Sequence, residues 1–205
     1  VNKGDAPVQE IHILNNSVET MTPRLMHLPS YLDATYNFDT LAPGKGGTIT
    51  VTLHSDHLRD YGLTQTKVFL AQQLGEKVSA SNAVDVTVTL LPDLKRFEGV
   101  SRAQAPQLQI SETTLDFTDF QKHQKKTIEV KLSNTGQSAL TISSMQMYTE
   151  GLRVTLDSRE IAPGQTTTLH VTGFKEELDK VKGRPRILMI TNDPDHAKVV
   201  INIKK

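Results

Sequence analysis

A four-residue run recurs once along the chain and brings its surroundings with it. Leu41–Gly44 (Leu-Ala-Pro-Gly) returns as Ile161–Gly164 (Ile-Ala-Pro-Gly), and the threonine-rich run Thr48–Thr52 returns as Thr168–Thr172 at the same offset. This offset is too long for the repeating unit of a solenoid and is typical of a whole small domain. We therefore predict that the 205-residue chain holds two divergent copies of one domain.

Alternating hydrophobicity predicts β-strands in both copies. Apolar residues alternate with threonine or aspartate in Thr48–Leu53 and Val84–Leu90, and with charged residues in Ile128–Leu132. This period of two gives each strand one buried face and one solvated face, which is typical of antiparallel sandwiches. Lys67–Leu70 also aligns with Ile187–Ile190 without a gap, so these two runs are predicted to be equivalent strands. The predicted fold class is all-β, with two tandem β-sandwich domains.

The two copies differ at their beginnings. The first copy spans residues 1–92, the polar residues 93–107 are predicted to link the domains, and the second copy spans 108–205. The second copy opens with Leu108–Ile110 and Leu115–Phe117, whereas the first copy begins without comparable runs. We expect the first copy to lack its first strand or to have another element in its place, and a missing strand would leave one sheet edge unpaired. An unpaired edge predicts self-association by strand addition.

Composition excludes several classes of function. Lys+Arg and Asp+Glu both number 23, so the formal net charge is zero, which argues against a nucleic-acid binder and against a polybasic membrane surface. No apolar run reaches the roughly 18 residues of a membrane span, so no transmembrane segment is predicted. The chain has no cysteine, which rules out disulfides, thiolate metal sites and cysteine nucleophiles. We expect no cofactor.

The order of motifs in the second copy resembles a known domain family. A Leu-Asp-Phe run comes first, the turn Asn134–Gly136 follows an alternating strand, the Ala-Pro-Gly turn comes next, and Ile190–Pro194 (Ile-Thr-Asn-Asp-Pro) precedes the last strand. This layout resembles an uncharacterised bacterial family of immunoglobulin-like (Ig-like) domains of unknown function. That family is similar in turn to abnormal-spindle/hydin and major-sperm-protein-like sandwiches. The resemblance covers residues 108–203 and, more loosely, about 3–91.

The resemblance implies a fold and a location, and no chemistry. It implies two tandem immunoglobulin-like β-sandwich domains. The family is common in exported and envelope proteins of Gram-negative gut anaerobes, which implies a periplasmic or outer-membrane-associated protein with a leader upstream of Val1. Many members carry Cys-Gly-Cys after the strand that corresponds to Leu140–Ile142, and this chain has Ser143–Met147 there. A metal or redox role of that motif therefore does not carry over.

His54, Asp56 and His57 form the densest cluster of candidate metal ligands. Two imidazoles and a carboxylate bind zinc or nickel when a helical turn brings them to one face. A short helical turn is predicted nearby, over Ser55–Tyr61. The alternative is a set of solvated polar residues on a crossover, since exposed polar runs are usually plain surface. The second copy favours this alternative, because it does not repeat the cluster.

A second candidate is the apolar segment 21–38, which is the most unusual part of the first copy. Its residues most suited to binding a partner are Leu25, Met26, Leu28, Tyr31 and Tyr36. Two interpretations remain open for them. They either complete the sandwich core, where apolar residues are usually found, or form an exposed patch that binds a partner.

No catalytic motif stands out in the sequence. There is no Gly-x-Ser-x-Gly elbow, and Gly44–Gly47 lacks the spacing of a phosphate-binding loop and leads into a strand. Together with the location that the resemblance implies, this favours a non-catalytic exported module of the bacterial cell envelope that binds protein or glycan or spaces other domains. Loops and sheet edges would carry such binding. The alternative is an enzyme or metal-binding protein with a site near the domain junction, built around His54, Asp56 and His57.

Overall fold

The chain forms two compact units, each built from two stacked β-sheets. The computed structural model describes all 205 residues except the side chain of Val100. The first unit is Val1–Leu90 and the second is Leu91–Lys205. Strands dominate both units, so the predicted all-β class is confirmed.

The first unit consists of two three-stranded sheets stacked face to face. Its sheets have the strand orders β1-β4-β3 and β2-β5-β6, and every pairing in them is antiparallel. The strands are β1 (Val8–Leu14), β2 (Arg24–Met26), β3 (Leu32–Tyr36), β4 (Gly46–Leu53), β5 (Gly62–Ala71) and β6 (Ala83–Leu90).

The second unit pairs a four-stranded sheet, β11-β13-β9-β7, with a five-stranded sheet, β12-β10-β14-β15-β8. All pairings are antiparallel except β15 with β8, which is parallel. The strands are β7 (Leu108–Ile110), β8 (Thr114–Asp116), β9 (Lys125–Asn134), β10 (Leu140–Met147), β11 (Leu152–Leu156), β12 (Glu160–Ile161), β13 (Thr166–Phe174), β14 (Arg186–Thr191) and β15 (Lys198–Lys204), and helix α1 (Lys175–Lys180) lies between β13 and β14.

The two units share one topology over most of their length. The order β1-β4-β3 corresponds to β9-β13-β11, and β2-β5-β6 corresponds to β10-β14-β15. The repeated Pro-Gly turns precede the central strands β4 and β13, and Gly44 and Gly164 have φ angles of 73° and 75°. Glycine adopts this left-handed backbone without the steric cost that a Cβ would add. The internal repeat therefore marks equivalent turns in equivalent places.

One equivalence predicted from the sequence is wrong by a single residue. Val68 and Leu70 face the first core, whereas Ile187 and Met189 face the second, so Val68 corresponds to Ile187 and not to Leu188. Side chains alternate between the faces of a strand, and a slip of one residue turns each of them to the opposite face. The ungapped alignment failed because β14 is apolar on both faces and gives no alternation to align.

Strands β7 and β8 set the two units apart. In the second unit β7 pairs with β9 and β8 pairs with β15, and Leu115 and Phe117 are 0% and 1% exposed in the core. Among the described residues of the first unit, no strand pairs with the outer edge of β1 or of β6. Both sheets of the first unit therefore end in an open edge on this side.

A buried asparagine ties the two sheets of the second unit together. The side-chain amide of Asn134, at the end of β9, donates to the carbonyl oxygens of Ser138 and Ile161, both at 2.8 Å. Its Oδ1 accepts from the amides of Gly136 at 3.0 Å and Gln107 at 3.3 Å. Every hydrogen-bonding group of this 0% exposed side chain is engaged, so its burial carries no unpaired polar atom.

Asn15 makes the equivalent hydrogen bonds in the first unit, with one hydrogen-bond donor replaced by another. Its side-chain amide donates to the carbonyl oxygens of Glu19 at 2.7 Å and Leu41 at 2.8 Å. Its Oδ1 accepts from the amide of Ser17 at 2.9 Å and from the hydroxyl of Ser17 at 2.8 Å. The hydroxyl thus stands in for the Gln107 amide, which comes from the segment before β7 that the first unit does not have among its described residues.

The segment predicted to be a linker, 93–107, is ordered and packs within the second unit. It forms 3-10 helices at Lys95–Phe97 and Gly99–Gln104. The hydroxyl of Ser138 donates to the carbonyl of Gln104, and the amide of Gln137 donates to the carbonyl of Ala105 at 3.2 Å. The polar composition of 93–107 therefore did not indicate that this segment covers one end of the second sandwich.

Asp116 holds the end of β8 in place. Its Oδ1 accepts hydrogen bonds from the hydroxyl and the amide of Thr118 at 2.5 and 2.8 Å, and Lys204 lies 3.3 Å from Oδ2. The Thr118 hydrogen bonds lower the pKa of Asp116 from 3.8 to about 2. Because the folded pKa lies below the unfolded one, this carboxylate stabilises the fold above about pH 4, and the contribution is lost as the pH falls towards 2.

Replacing Thr118 by valine is expected to raise the pKa of Asp116, because the hydroxyl donor is lost while the amide donor remains. An NMR titration that follows the Asp116 carboxyl carbon measures this, with a wild-type midpoint near pH 2. Thr118→Ser keeps the hydroxyl and is expected to leave the midpoint where it is. Equal midpoints in all three proteins would show that the hydroxyl does not stabilise the carboxylate.

Replacing Gly136 by alanine is expected to destabilise the second unit by about 1–3 kcal/mol, because the added Cβ would overlap the carbonyl oxygen of Ala105. Urea unfolding followed by circular dichroism measures the change. The matched control is Gln137→Ala at the neighbouring exposed position, where a change within about 0.5 kcal/mol is expected. Equal losses in the two variants would contradict the close approach over Gly136.

Candidate functional site

The first unit has an apolar groove between the open edges of its two sheets. The groove encloses about 490 Å³ and is walled by apolar side chains of both sheets. Such a volume lies within the range of ordinary ligand pockets. The apolar lining residues are Val1, Pro7, Ile11, Leu25, Leu28, Leu32, Val51, Leu53, Val68, Val84, Val86 and Val88.

The register of the strands shows what fills the same place in the second unit. Val68 pairs with Val84 as Ile187 pairs with Ile201, so β6 and β15 are aligned through these pairs. Asp85 then corresponds to Asn202, and Thr87 to Lys204. In the second unit these two positions bond to the β8 segment. Asn202 donates to the carbonyl of Thr113 at 2.8 Å, and Lys204 accepts from the amide of Phe117 at 2.7 Å.

Val1 lies just beyond this strand position. Its backbone nitrogen donates to the carbonyl oxygen of Thr89 at 3.0 Å, two residues further along β6 than the counterpart of the Phe117 bond. The path beside Asp85 and Thr87, which β8 follows in the second unit, is the groove. We call this path the β6 lane.

Leu53 narrows the β6 lane. Its counterpart in the second unit is Gly173, because Leu53 pairs with Leu32 as Gly173 pairs with Leu152. The ring of Phe117 lies against Gly173 so closely that a Cβ there would be 2.6 Å from Cδ1 of the ring. Leu53 places a whole side chain at this point and lines the groove. The lane is therefore open to a strand but has less room than its counterpart.

A second cavity of about 490 Å³ lies at the end of β1, where Asn15, Ser17, Met21 and Leu41 are among its lining residues. In the second unit, the main chain of 105–107 covers the equivalent place and passes directly over Gly136. Ser17 stands at the position of Gly136, two residues after the buried asparagine. Its side chain blocks a main chain from following the same course, so the path along β1 is closed to an identical segment.

The structure brings the rings of His54 and His57 to 5.6 Å between centroids, but does not group them with Asp56 as metal ligands. Nε2 of His54 lies 2.7 Å from Oδ2 of Asp33, and Nδ1 of His57 lies 2.8 Å from the carbonyl oxygen of Ser30. Asp56 is exposed on the 3-10 helix Ser55–His57. Across the described residues, no three His, Asp or Glu side chains are grouped closely enough to hold a metal ion.

The apolar segment 21–38 contributes mostly to the first core. Leu25 is 8% exposed, and Leu28, Tyr31 and Tyr36 are partly buried against the same core. The hydroxyl of Tyr36 accepts a hydrogen bond from the amide of Leu25 at 2.9 Å. Met26, on β2, is half-buried. Leu25 and Leu28 also line the floor of the groove.

Sequence reasoning missed the valines of β6, which form one wall of the groove. In β6, Val84, Val86 and Val88 alternate with polar residues, and this pattern is typical of any half-buried strand. No local signal separates them from such a strand, because the pairing of β6 with β5 places them at the edge of the sheet.

Comparison with known proteins finds a family model that matches the second domain. Residues 106–204 match the model described as the HYDIN/CFA65/VesB-like, Ig-like domain. The second domain is similar to this family. The resemblance drawn from the motif order is thereby confirmed for the HYDIN/CFA65/VesB-like Ig-like domain, which accounts for nearly all of the second unit.

The whole chain is similar to a solved protein of unknown function from Porphyromonas gingivalis W83. The two are 18% identical, the match covers 99% of this chain and 92% of that one, and the TM-score is 0.65. At this identity the likeness shows the shared fold alone. The comparison with curated proteins gives no match.

Other solved structures match over much of the chain but superimpose poorly. Vibrio cholerae VesB protease is 11% identical over 91% of this chain and 63% of its own, with a TM-score of 0.35. Pseudomonas aeruginosa CupB2 chaperone is 10% identical over 95% of this chain and 91% of its own, with a TM-score of 0.26. Such scores carry no argument about function. In the described part of the chain, no helix has the length and apolar character to cross a membrane.

The purified protein is expected to carry no stoichiometric zinc or nickel, because among the described residues no group of three His, Asp or Glu side chains forms around His54 and His57. Elemental analysis and thermal unfolding with and without a chelator check this. His54→Ala is the control, since it would abolish any metal-dependent stability. A chelator-induced drop in unfolding temperature that zinc reverses, and that His54→Ala lacks, would establish the metal site instead.

Proposed function

We propose that this protein is a non-catalytic, exported protein-binding module of the bacterial cell envelope. Its first domain presents the groove beside β6 to an extended polypeptide strand. The observation that carries the proposal is the groove itself, since it lies where the second domain holds its own strand β8. The exported location rests on the resemblance of the motif order to bacterial envelope domains.

The main chain of β6 favours a strand as the ligand. Asp85 and Thr87 occupy the positions whose counterparts, Asn202 and Lys204, hydrogen-bond the β8 segment. A strand laid in the β6 lane would satisfy the same groups in the first domain. In strand addition, such main-chain bonds supply affinity, and pockets for alternate side chains supply specificity.

The chemistry of the lining favours binding over catalysis. Asp85 is the carboxylate of the groove, and it lies 2.5 Å from the ammonium group of Lys67 on the neighbouring strand. The remaining lining side chains are aliphatic, hydroxyl or amide groups. These side chains offer neither a general base nor a nucleophile held by one.

The same lining favours a peptide over a glycan. Sugar hydroxyls pressed against aliphatic walls would lose hydrogen bonds to water without replacement, which costs free energy. Leucine or valine side chains of a peptide would gain free energy by burial in the same place, at about 25 cal/mol per Å² of apolar area. We therefore propose a protein partner.

Titration of the full chain with a panel of strand peptides tests the proposal. The panel consists of residues 110–118 of this chain (Ile-Ser-Glu-Thr-Thr-Leu-Asp-Phe-Thr) and versions with Ala, Val or Leu in place of Phe117. NMR shifts centred on β6 are expected, with binding weakened at least about tenfold by Val86→Lys in the groove wall. Peptides N-methylated at the amides that face β6 are expected not to bind.

The matched control variant is Val8→Lys, on β1 of the same domain but outside the groove, where the side chain is already 52% exposed. It is expected to bind the panel as the wild type does. Circular dichroism confirms that both variants are folded. If no peptide binds at millimolar concentration, or if Val86→Lys binds as well as Val8→Lys, the proposed function is wrong.

A further inference from the structure

We infer that the second domain binds an acidic saccharide on the outer face of its five-stranded sheet. The site is a row of side chains that crosses β10, β14, β15 and β8, with two cations beside it. We call this set the polar platform, and its members are Tyr148, Arg186, Asn202 and Thr114 in the row, with Arg184 and Lys204 beside it. The inference goes beyond the proposed function, because it concerns the other domain and another class of ligand.

Strand register places the row in one line across the sheet. Arg186 of β14 pairs with Asn202 of β15, and Asn202 pairs with Thr114 of β8. The guanidinium carbon of Arg186 lies 6.0 Å from the centre of the Tyr148 ring, which directly follows β10. Because neighbouring strands lie about 4.8 Å apart, the row is about 14 Å long. A row of this length suits an extended ligand better than a single small ion.

Alternation along the strands turns the platform to solvent. Arg186 and Asn202 are exposed, whereas their neighbours Ile187 and Ile201 are both 0% exposed in the core. Side chains of a strand point alternately to its two faces, so the polar members share the outer face of the sheet. Arg184, two residues before Arg186, is exposed as well. The polar groups are therefore presented together and are not part of the core.

A cavity of about 540 Å³ lies at one end of the row. The platform residues that line it are Thr114, Arg184, Asn202 and Lys204. Lys205 lines it too, but its ammonium group donates to the carbonyl oxygen of Leu178 at 2.8 Å, and we leave it out of the platform. A hydroxyl, an amide, a guanidinium and an ammonium group thus border one space, and all of them can donate hydrogen bonds to a ligand.

Positive charge dominates the platform. Asp116 lies 3.3 Å from Lys204 and offsets its charge. Among the described residues, no carboxylate lies within ion-pair distance of Arg184 or Arg186. Arg184 and Lys204 border the same cavity, and like charges on neighbouring strands destabilise a sheet. A bound carboxylate or sulfate would relieve this repulsion and accept the paired hydrogen bonds of a guanidinium group.

The place of the platform in the sheet favours a saccharide over a peptide strand. Strand β14 is paired with β10 and β15, and β15 is paired with β14 and β8, so their main chains are already engaged. Strand addition needs an open edge, so recognition here depends on side chains alone. The Tyr148 ring offers an apolar face to the C–H groups of a sugar, and the neighbouring donors replace the water that its hydroxyls lose.

Calorimetric titration of the full chain with three tetrasaccharides tests the inference. The probes are tetragalacturonate, which carries carboxylates, a sulfated tetrasaccharide prepared from heparin, and the neutral maltotetraose. At least one acidic probe is expected to bind with a Kd below about 1 mM, and maltotetraose at least about tenfold more weakly. The acidic probe that binds more tightly identifies the acid group that the platform prefers.

Variants of the platform separate the roles of charge and ring. Arg186→Gln is expected to weaken the acidic probe at least about tenfold, because the fork of donors is lost. Tyr148→Ala is expected to weaken it as well, whereas Tyr148→Phe keeps the ring and is expected to bind as the wild type does. Circular dichroism confirms that each variant is folded.

The matched control is Lys198→Gln, which removes one positive charge from the same face of β15. Lys198 is the first residue of that strand and lies about 13 Å from Asn202, so wild-type binding is expected. Val86→Lys in the first domain is also expected to bind the saccharide normally. This second control makes failure of the inference distinguishable from failure of the proposed function.

Three results would overturn the inference and leave the proposed function standing. The first is that neither acidic probe binds at millimolar concentration. The second is that Lys198→Gln weakens binding as much as Arg186→Gln does, which would reduce the effect to the overall charge of the domain. The third is that a tetra-aspartate peptide binds as tightly as the acidic saccharides, because the platform would then recognise charge without the sugar.

Discussion

Closure of the second sandwich depends on one extended segment that passes from one sheet to the other. In the second domain this segment supplies β7 to the first sheet and β8 to the second, and it buries Leu108, Leu115 and Phe117 in the core. Because it spans both sheets, it covers two edges and the gap between them at once. The described residues of the first domain contain no such segment, and its cavities lie along the course that the segment would take.

The first domain compensates for this difference at individual residues. The Ser17 hydroxyl completes the hydrogen bonds of Asn15, which the Gln107 amide completes for Asn134 in the second domain. Leu53 occupies part of the space that Phe117 fills above Gly173. These residues keep the buried asparagine satisfied and narrow the gap without closing it. The groove therefore remains in the folded first domain, and its shape differs from the place that holds β8 in the second domain.

The sequence predicted more of the fold than of the site. The repeated Pro-Gly turns and the alternating runs identified the strands and their duplication, because turn geometry and period-two burial are local properties. It failed at β14, where both faces are buried and no alternation marks the register. It also took 93–107 for a linker, because the contacts of Gln104 and Ala105 are made with residues more than thirty positions away.

The sequence by itself determined the all-β class and the duplication, since both follow from local composition and repetition. Only the tertiary structure decided that a groove lies beside β6, that Leu53 lines it, and that His54 and His57 hydrogen-bond separate partners. The reason is physical: an open edge becomes a site only through the side chains that distant strands bring to it, and no local pattern specifies which ones meet.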